Sequence, residues 1–162
     1  MGILIDTSVF IGWWDRKSPY VHLMEVVENE LFYIVICSEL YAEYLRQIGR
    51  LYSGSPRTAL EHALQGIKTM IREAEPRRDS LILVNAKDQI HMDCAHNEEY
   101  PAHLLVSEDR HFRDVKDRCP LPVILTFSEF MCDNMRTSAC GDAKAVCGRV
   151  KQYGIREVFG SS

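Results

Sequence analysis

Five short apolar runs set the frame of this chain: GILI at 2–5, FYIVI at 32–36, LILV at 81–84, HLLV at 103–106 and PVIL at 122–125. Longer amphipathic stretches separate them. That alternation predicts strands joined by helical crossovers, a parallel α/β sheet wrapped by helices. The crossovers carry their own signals. Ser18, with Pro19 in the first turn, is expected to open a helix that places Val21, Met24 and Val27 on one face. Ser38 is expected to cap another, whose Leu40, Tyr41, Tyr44, Leu45 and Ile48 repeat at helical spacing until Gly49. Thr58 and Glu61 form a capping box into a long helix carrying Leu60, Ala63, Leu64, Ile67 and Ile71 toward Pro76. Asn85 caps a fourth, running to about Asn97, a short helical turn begins near Asp109, and Thr126 with Glu129 forms a second capping box.

The 162 residues suit a single domain able to bury its core without crosslinks. Residues 1–131 are expected to form the main body. Residues 132–162, polar and rich in cysteine and small residues, are expected to add a partly helical extension of the same domain. With 46% hydrophobic and 26% charged residues and no apolar run near the roughly 20 needed to span a bilayer, no membrane segment is read. The start, MGILIDTSVFI, lacks the order of a secretory signal, so a cytoplasmic location is expected. None of the six cysteines forms a CxxC pair, and reduced thiols are expected in that compartment. A net charge of −4 excludes a polycation that binds nucleic acid through bulk electrostatics. Local basic surface can still hold a phosphate backbone, the candidates being Arg46, Arg50, Arg57, Arg77, Arg78, Arg110, Arg113 and Lys116.

Ligand sites in open parallel sheets lie beyond the carboxyl ends of the strands. Carboxylates recur there. Asp6 follows the first strand, Glu43 lies in the first turns of the helix after the second, Asp88 opens the helix after the third, and Asp109 follows the fourth. Asp and Glu are common in first helical turns merely because they complement the helix dipole, which is the plain alternative for Asp88 and Asp109. Asp6 resists that explanation: it stands between an apolar strand and the apolar TSVFI, where an unpaired carboxylate costs several kcal/mol. Asp88 shares a helical face with Met92 and Ala95, which points it toward the strand ends. Glu43 shares its face with Glu39, which could reach inward in its place.

Like charges about 5 Å apart repel by roughly 3 kcal/mol at an effective dielectric near 20, so a converging set needs a cation. Oxygen ligands with few His or Cys favour magnesium or manganese over zinc. Such a centre suits hydrolysis of a phosphodiester, where the metal lowers the pKa of water and stabilises charge on the phosphate. Thr7 and Ser8 are candidates for orienting the ligands, local turn bonding being their plain role. A zinc site of His91, Cys94 and His96 is disfavoured, because those positions point in different directions around a helix. A phosphoaspartyl hydrolase needs a second Asp where Ser8 stands, and DTSVFIG supplies neither a dinucleotide turn nor a P-loop. The remaining alternative is an RNA- or protein-binding module on the same fold with an incomplete metal site.

Four segments together resemble the PIN domain family: ILIDTSVFI, ICSELYAEYLRQI, DQIHMDCA with Asp88 seven residues before Ala95, and LLVSEDRHF, close to that family's LVTxDxxF element. The likeness covers residues 2 to about 130. The second segment departs in having one residue fewer than expected between Ser38 and Glu43. What the resemblance implies is a three-layer α/β/α fold with a parallel five-stranded sheet of order 3-2-1-4-5. It also implies a magnesium or manganese site at Asp6, Glu43, Asp88 and Asp109, endoribonuclease activity on RNA, and a homodimer. Many stand-alone members of this size are similar to VapC-type toxins held inactive by an antitoxin protein. The long helix at 58–74 and the tail after 132 exceed a minimal member.

Overall fold

The computed structural model describes residues 1–14, 23, 27, 32–51, 56–78, 85, 87–118 and 121–131. In chain order these form β1 (Gly2–Ile5), α1 (Thr7–Trp14), β2 (Tyr33–Ile36), α2 (Ser38–Leu51), α3 (Pro56–Gly66), β3 (Ile71–Glu73), α4 (Gln89–Ala95), β4 (Leu104–Val106), α5 (Arg110–Val115) and β5 (Val123–Leu125). The five strands make one sheet of order β3-β2-β1-β4-β5, and every pairing is parallel. This is the expected three-layer α/β/α fold. The chain runs outward from β1 through β2 to β3, then passes to the other side of β1 for β4 and β5. The order therefore switches direction between β1 and β4, and open α/β sheets bind their ligands beyond the carboxyl ends at such a point.

Continuous apolar runs mark the strands that are covered on both faces. Every residue of β1 and β4 is buried. Close packing constrains even the first position, since a Cβ on Gly2 would lie 2.4 Å from the Pro101 carbonyl oxygen and 2.9 Å from the Tyr33 ring. On α2 the residues Leu40, Tyr44 and Ile48 are fully buried, and the helix packs on α1, α3 and α4. The Tyr44 ring stacks on Phe10 of α1 with centroids 4.1 Å apart, and its hydroxyl donates to the Ile5 carbonyl at the end of β1.

Three points correct or extend the expectations. The third strand of the sheet is Ile71–Glu73, within the stretch read as the continuation of a long helix. The helix stops at Gly66, a 3-10 turn spans Lys68–Met70, and Ile71, Arg72 and Glu73 pair with Ile34, Val35 and Ile36. Ile67 and Ile71 stand four apart, which fits a helical face, while a strand at the end of the sheet needs no apolar run. Residues 81–84 lie outside the described residues, as do most of the helix expected from Ser18 and everything after 131. Second, TSVFI is helical: Asp6 ends the ladder by donating its N–H to Val106, then accepts from Phe10 N–H as α1 begins. Third, α2 runs past Gly49 to Leu51, and the Ser38 hydroxyl bonds the Glu39 carboxylate at 2.8 Å.

No helix among the described residues is long and apolar enough to cross a membrane. By internal contacts the chain divides into Met1–Phe127, which holds the whole sheet, and Ser128–Ser162. Cys37 and Cys94 are buried free thiols.

Candidate metal centre

Asp6 sits at the switch point because β1 ends there. It is 7% exposed, and its carboxylate is held from several sides. Ser8 donates to Oδ2 at 2.7 Å from the first turn of α1, and the fully buried Ser107 donates to the same oxygen at 2.8 Å from the end of β4. Oδ1 faces His91 Nε2 of α4 at 3.3 Å. Two hydroxyl donors and an imidazole around one carboxylate are what a buried charge requires in place of water.

Ser107 also ties Asp6 to Asp109. Its Oγ accepts the Asp109 N–H at 3.0 Å, so one hydroxyl fixes both the acid after β1 and the backbone of the acid after β4. Asp109 caps α5, its Oδ1 accepting from His111 N–H at 2.8 Å, so the plain dipole role is real for this residue. For Asp88 it is not. Asn85 takes that task, its Oδ1 accepting from Lys87 N–H at 2.9 Å and Asp88 N–H at 3.1 Å, while the Asp88 carboxylate makes no capping bond. Asp88 turns instead toward α5, where Oδ2 lies 3.3 Å from His111 Nδ1.

Asp88, Asp109 and His111 each offer one ligand atom, and these lie within 4.8 Å of one another. Burial raises the Asp88 pKa above its ordinary value, and the Asp109 carboxylate adds to the rise. Asp6 contributes further in the same direction, so all three acids belong to one electrostatic unit. The charges that pull the other way are His91 and His111. A desolvated carboxylate beside two others, with no lysine or arginine among the named opposing charges, fits a divalent cation. Asp88 and Asp109 thus come together with His111, while Asp6 stands outside that group and is linked to Asp88 by its charge.

Glu43 is placed otherwise. Its carboxylate is an ion-pair partner of Arg46 and accepts from Gln47 Nε2 at 2.7 Å, both on its own helix. Glu39, the fallback, pairs with Arg78. Ser8 bonds Asp6 directly, and Thr7 reaches across the fold, its Oγ1 lying 3.4 Å from His91 Nε2. The zinc trio does not gather: among the described residues the group of metal-binding side chains is Asp88, Asp109 and His111, and His96 Nδ1 faces the Met92 carbonyl at 2.7 Å. Ser107, His91 and His111 were not singled out as parts of an acidic site. Each sits within one turn, or two residues, of an acid that was, and that proximity is the available signal. Of the basic candidates, Arg57 pairs with Glu61, while Arg110 and Arg113 lie exposed on α5 beside the centre.

The family model described as PIN domain matches residues 2–111, which include Asp6, Glu43, Asp88 and Asp109. No curated protein and no solved structure matches the chain.

Proposed function

The chain belongs to the PIN domain family, and from that premise we propose that it is a magnesium- or manganese-dependent endoribonuclease of the VapC-type toxin kind, hydrolysing RNA phosphodiester bonds. One observation carries the reading: Asp88, Asp109 and His111 offer ligand atoms within 4.8 Å of one another, and burial together with the Asp109 charge raises the Asp88 pKa, an arrangement that a divalent ion relieves. Asp6, Asp88 and Asp109 hold the ion, and Glu43 helps to hold it or orients the attacking water after exchanging Arg46 and Gln47 for the centre. Ser8 and Ser107 hold the Asp6 carboxylate in place by donating to its Oδ2. When bound, the ion supplies acidified water and stabilises charge developing on the phosphate. Arg110 and Arg113, exposed at the rim on α5, are suited to the flanking phosphates. A cytoplasmic homodimer restrained by an antitoxin protein completes the reading.

The test is cleavage of a panel of RNAs by purified protein with manganese or with chelator. Cleavage that requires the metal and disappears in Asp6→Ala and Asp109→Ala is expected. Cleavage that persists in EDTA, or in either variant, would overturn the mechanism. For the toxin role, growth arrest on expression that is lost with Asp6→Ala is expected, and equal growth of the two strains counts against it.

A further inference from the structure

The centre holds a side chain that the acidic reading does not use. His111, two residues beyond Asp109 in the first turn of α5, places Nδ1 3.1 Å from Asp109 Oδ1 and 3.3 Å from Asp88 Oδ2. Asn85 also reaches this nitrogen. Its Oδ1 is committed to the backbone N–H groups of Lys87 and Asp88, so its amide nitrogen must be the atom facing the centre. That nitrogen has two hydrogens and two neighbours: it donates to Asp88 Oδ2, and it lies 3.1 Å from His111 Nδ1. In the neutral tautomer with its hydrogen on Nε2, Nδ1 accepts from Asn85 and keeps a lone pair facing the two carboxylates. With that tautomer, no hydrogen stands between Nδ1 and either carboxylate. Three acceptor atoms face one another.

Their spacing matches what a shared cation requires. Ligands that neighbour each other around an octahedral ion with bonds of about 2.1 Å lie about 3 Å apart, and opposite ligands lie about 4.2 Å apart. The two nitrogen-to-oxygen distances fit the first value, and the 4.8 Å limit on the whole group accommodates both. We infer that His111 binds the divalent ion through Nδ1, so that the centre is a mixed carboxylate–imidazole site selecting manganese, a first-row transition ion, over magnesium. The inference rests on the metal-dependent reading of the same centre and adds the ligand that sets its ion preference. Imidazole nitrogen bonds first-row transition ions better than it bonds magnesium, which retains oxygen ligands and water. The ion exchanges the neutral Asn85 hydrogen bond at Nδ1 for a stronger bond and satisfies both carboxylates at once.

The experiment is pulsed EPR on protein loaded with Mn(II), together with calorimetric titration of manganese and magnesium. Wild type and His111→Gln are compared, with His91→Gln as the control for the other imidazole near the acids. His111 is 41% exposed at its side chain, so its variant is expected to keep the fold, and the wild-type spectrum needs no variant. The expected result is a histidine nitrogen coupling in wild type and His91→Gln that is lost in His111→Gln. Manganese affinity should fall about tenfold or more in that variant, magnesium affinity much less. Manganese bound without nitrogen coupling, or with coupling that survives in His111→Gln, overturns the inference while leaving the metal-dependent function standing. No manganese binding at all overturns both.

Discussion

Ser107→Ala is the most informative single perturbation of the scaffold beneath the site. The hydroxyl is fully buried and does two things: it donates to the Asp6 carboxylate at 2.8 Å and accepts the Asp109 N–H at 3.0 Å. A hydrogen bond to a charged acceptor contributes about 1.5–3 kcal/mol, and an orphaned N–H adds about 1 kcal/mol. The substitution leaves little space, so cavity effects are small beside these. The expected loss is therefore about 2–4 kcal/mol, or a fall in Tm of about 4–16 °C for a chain of this size. Ser8→Ala removes a donor to the same oxygen, but from an exposed position where water replaces it, and should cost about 0.5–1 kcal/mol. Urea denaturation of both variants without metal measures the two losses side by side. Equal losses, or a Ser107→Ala loss below about 0.5 kcal/mol, would refute the claim that this hydroxyl braces the two acids.

Other consequences can be checked with the same material. Asp88→Asn should stabilise the metal-free protein near neutral pH by about 1–3 kcal/mol, since like charges within 4.8 Å repel by about 3.5 kcal/mol or more at an effective dielectric of 20, and solvent screening and the histidines offset part of this. The sign of its pH dependence follows from the raised pKa. The folded protein keeps the Asp88 proton where the unfolded chain has lost it, so this residue's contribution to metal-free stability declines as pH rises from the ordinary value of 3.8 through the raised one. The decline should be shallower in Asp88→Asn, and an unchanged pH profile counts against it. Tyr44→Phe should cost about 1 kcal/mol in chemical denaturation, because the stack on Phe10 survives and only the bond to the Ile5 carbonyl is lost. Burial, helped by the Asp6 charge, pushes the Tyr44 pKa well above its ordinary value, so alkaline titration of the folded protein should not show this phenol ionising with the exposed ones.

What could be read in advance divides along physical lines. β1, β2, β4 and β5 were legible because strands buried on both faces write continuous apolar runs, and the position of Asp6 follows from where the first run ends. β3 was not. Ile71, Arg72 and Glu73 sit at one end of the strand order and are only partly covered, so their sequence carries charge and blends into the preceding helix. Asp6 and Asp109 could be found from topology, since each follows a strand of the sheet, whereas Asp88 stands before α4 well beyond the end of β3 and meets Asp109 through α5. Their supporting partners could not. Ser107, His91 and His111 acquire meaning only when β4, α4 and α5 meet, and residue type by itself does not distinguish a hydroxyl that braces two acids from one that bonds a local turn. Glu43 illustrates the converse: the helix after β2 places it as expected, yet its carboxylate rests on Arg46 and Gln47.

The central claim is that acids from separate elements form one centre for a divalent ion, and thermal denaturation with and without manganese tests it most directly. An ion present at a hundred times its dissociation constant stabilises the folded state by about 2.7 kcal/mol, which corresponds to a rise in Tm of about 5–11 °C here. The rise should appear in wild type, vanish with EDTA, and be lost in Asp88→Asn, even though that variant is the more stable of the two without metal. A wild-type Tm unmoved by saturating manganese or magnesium, or a rise retained in full by Asp88→Asn, would contradict the account.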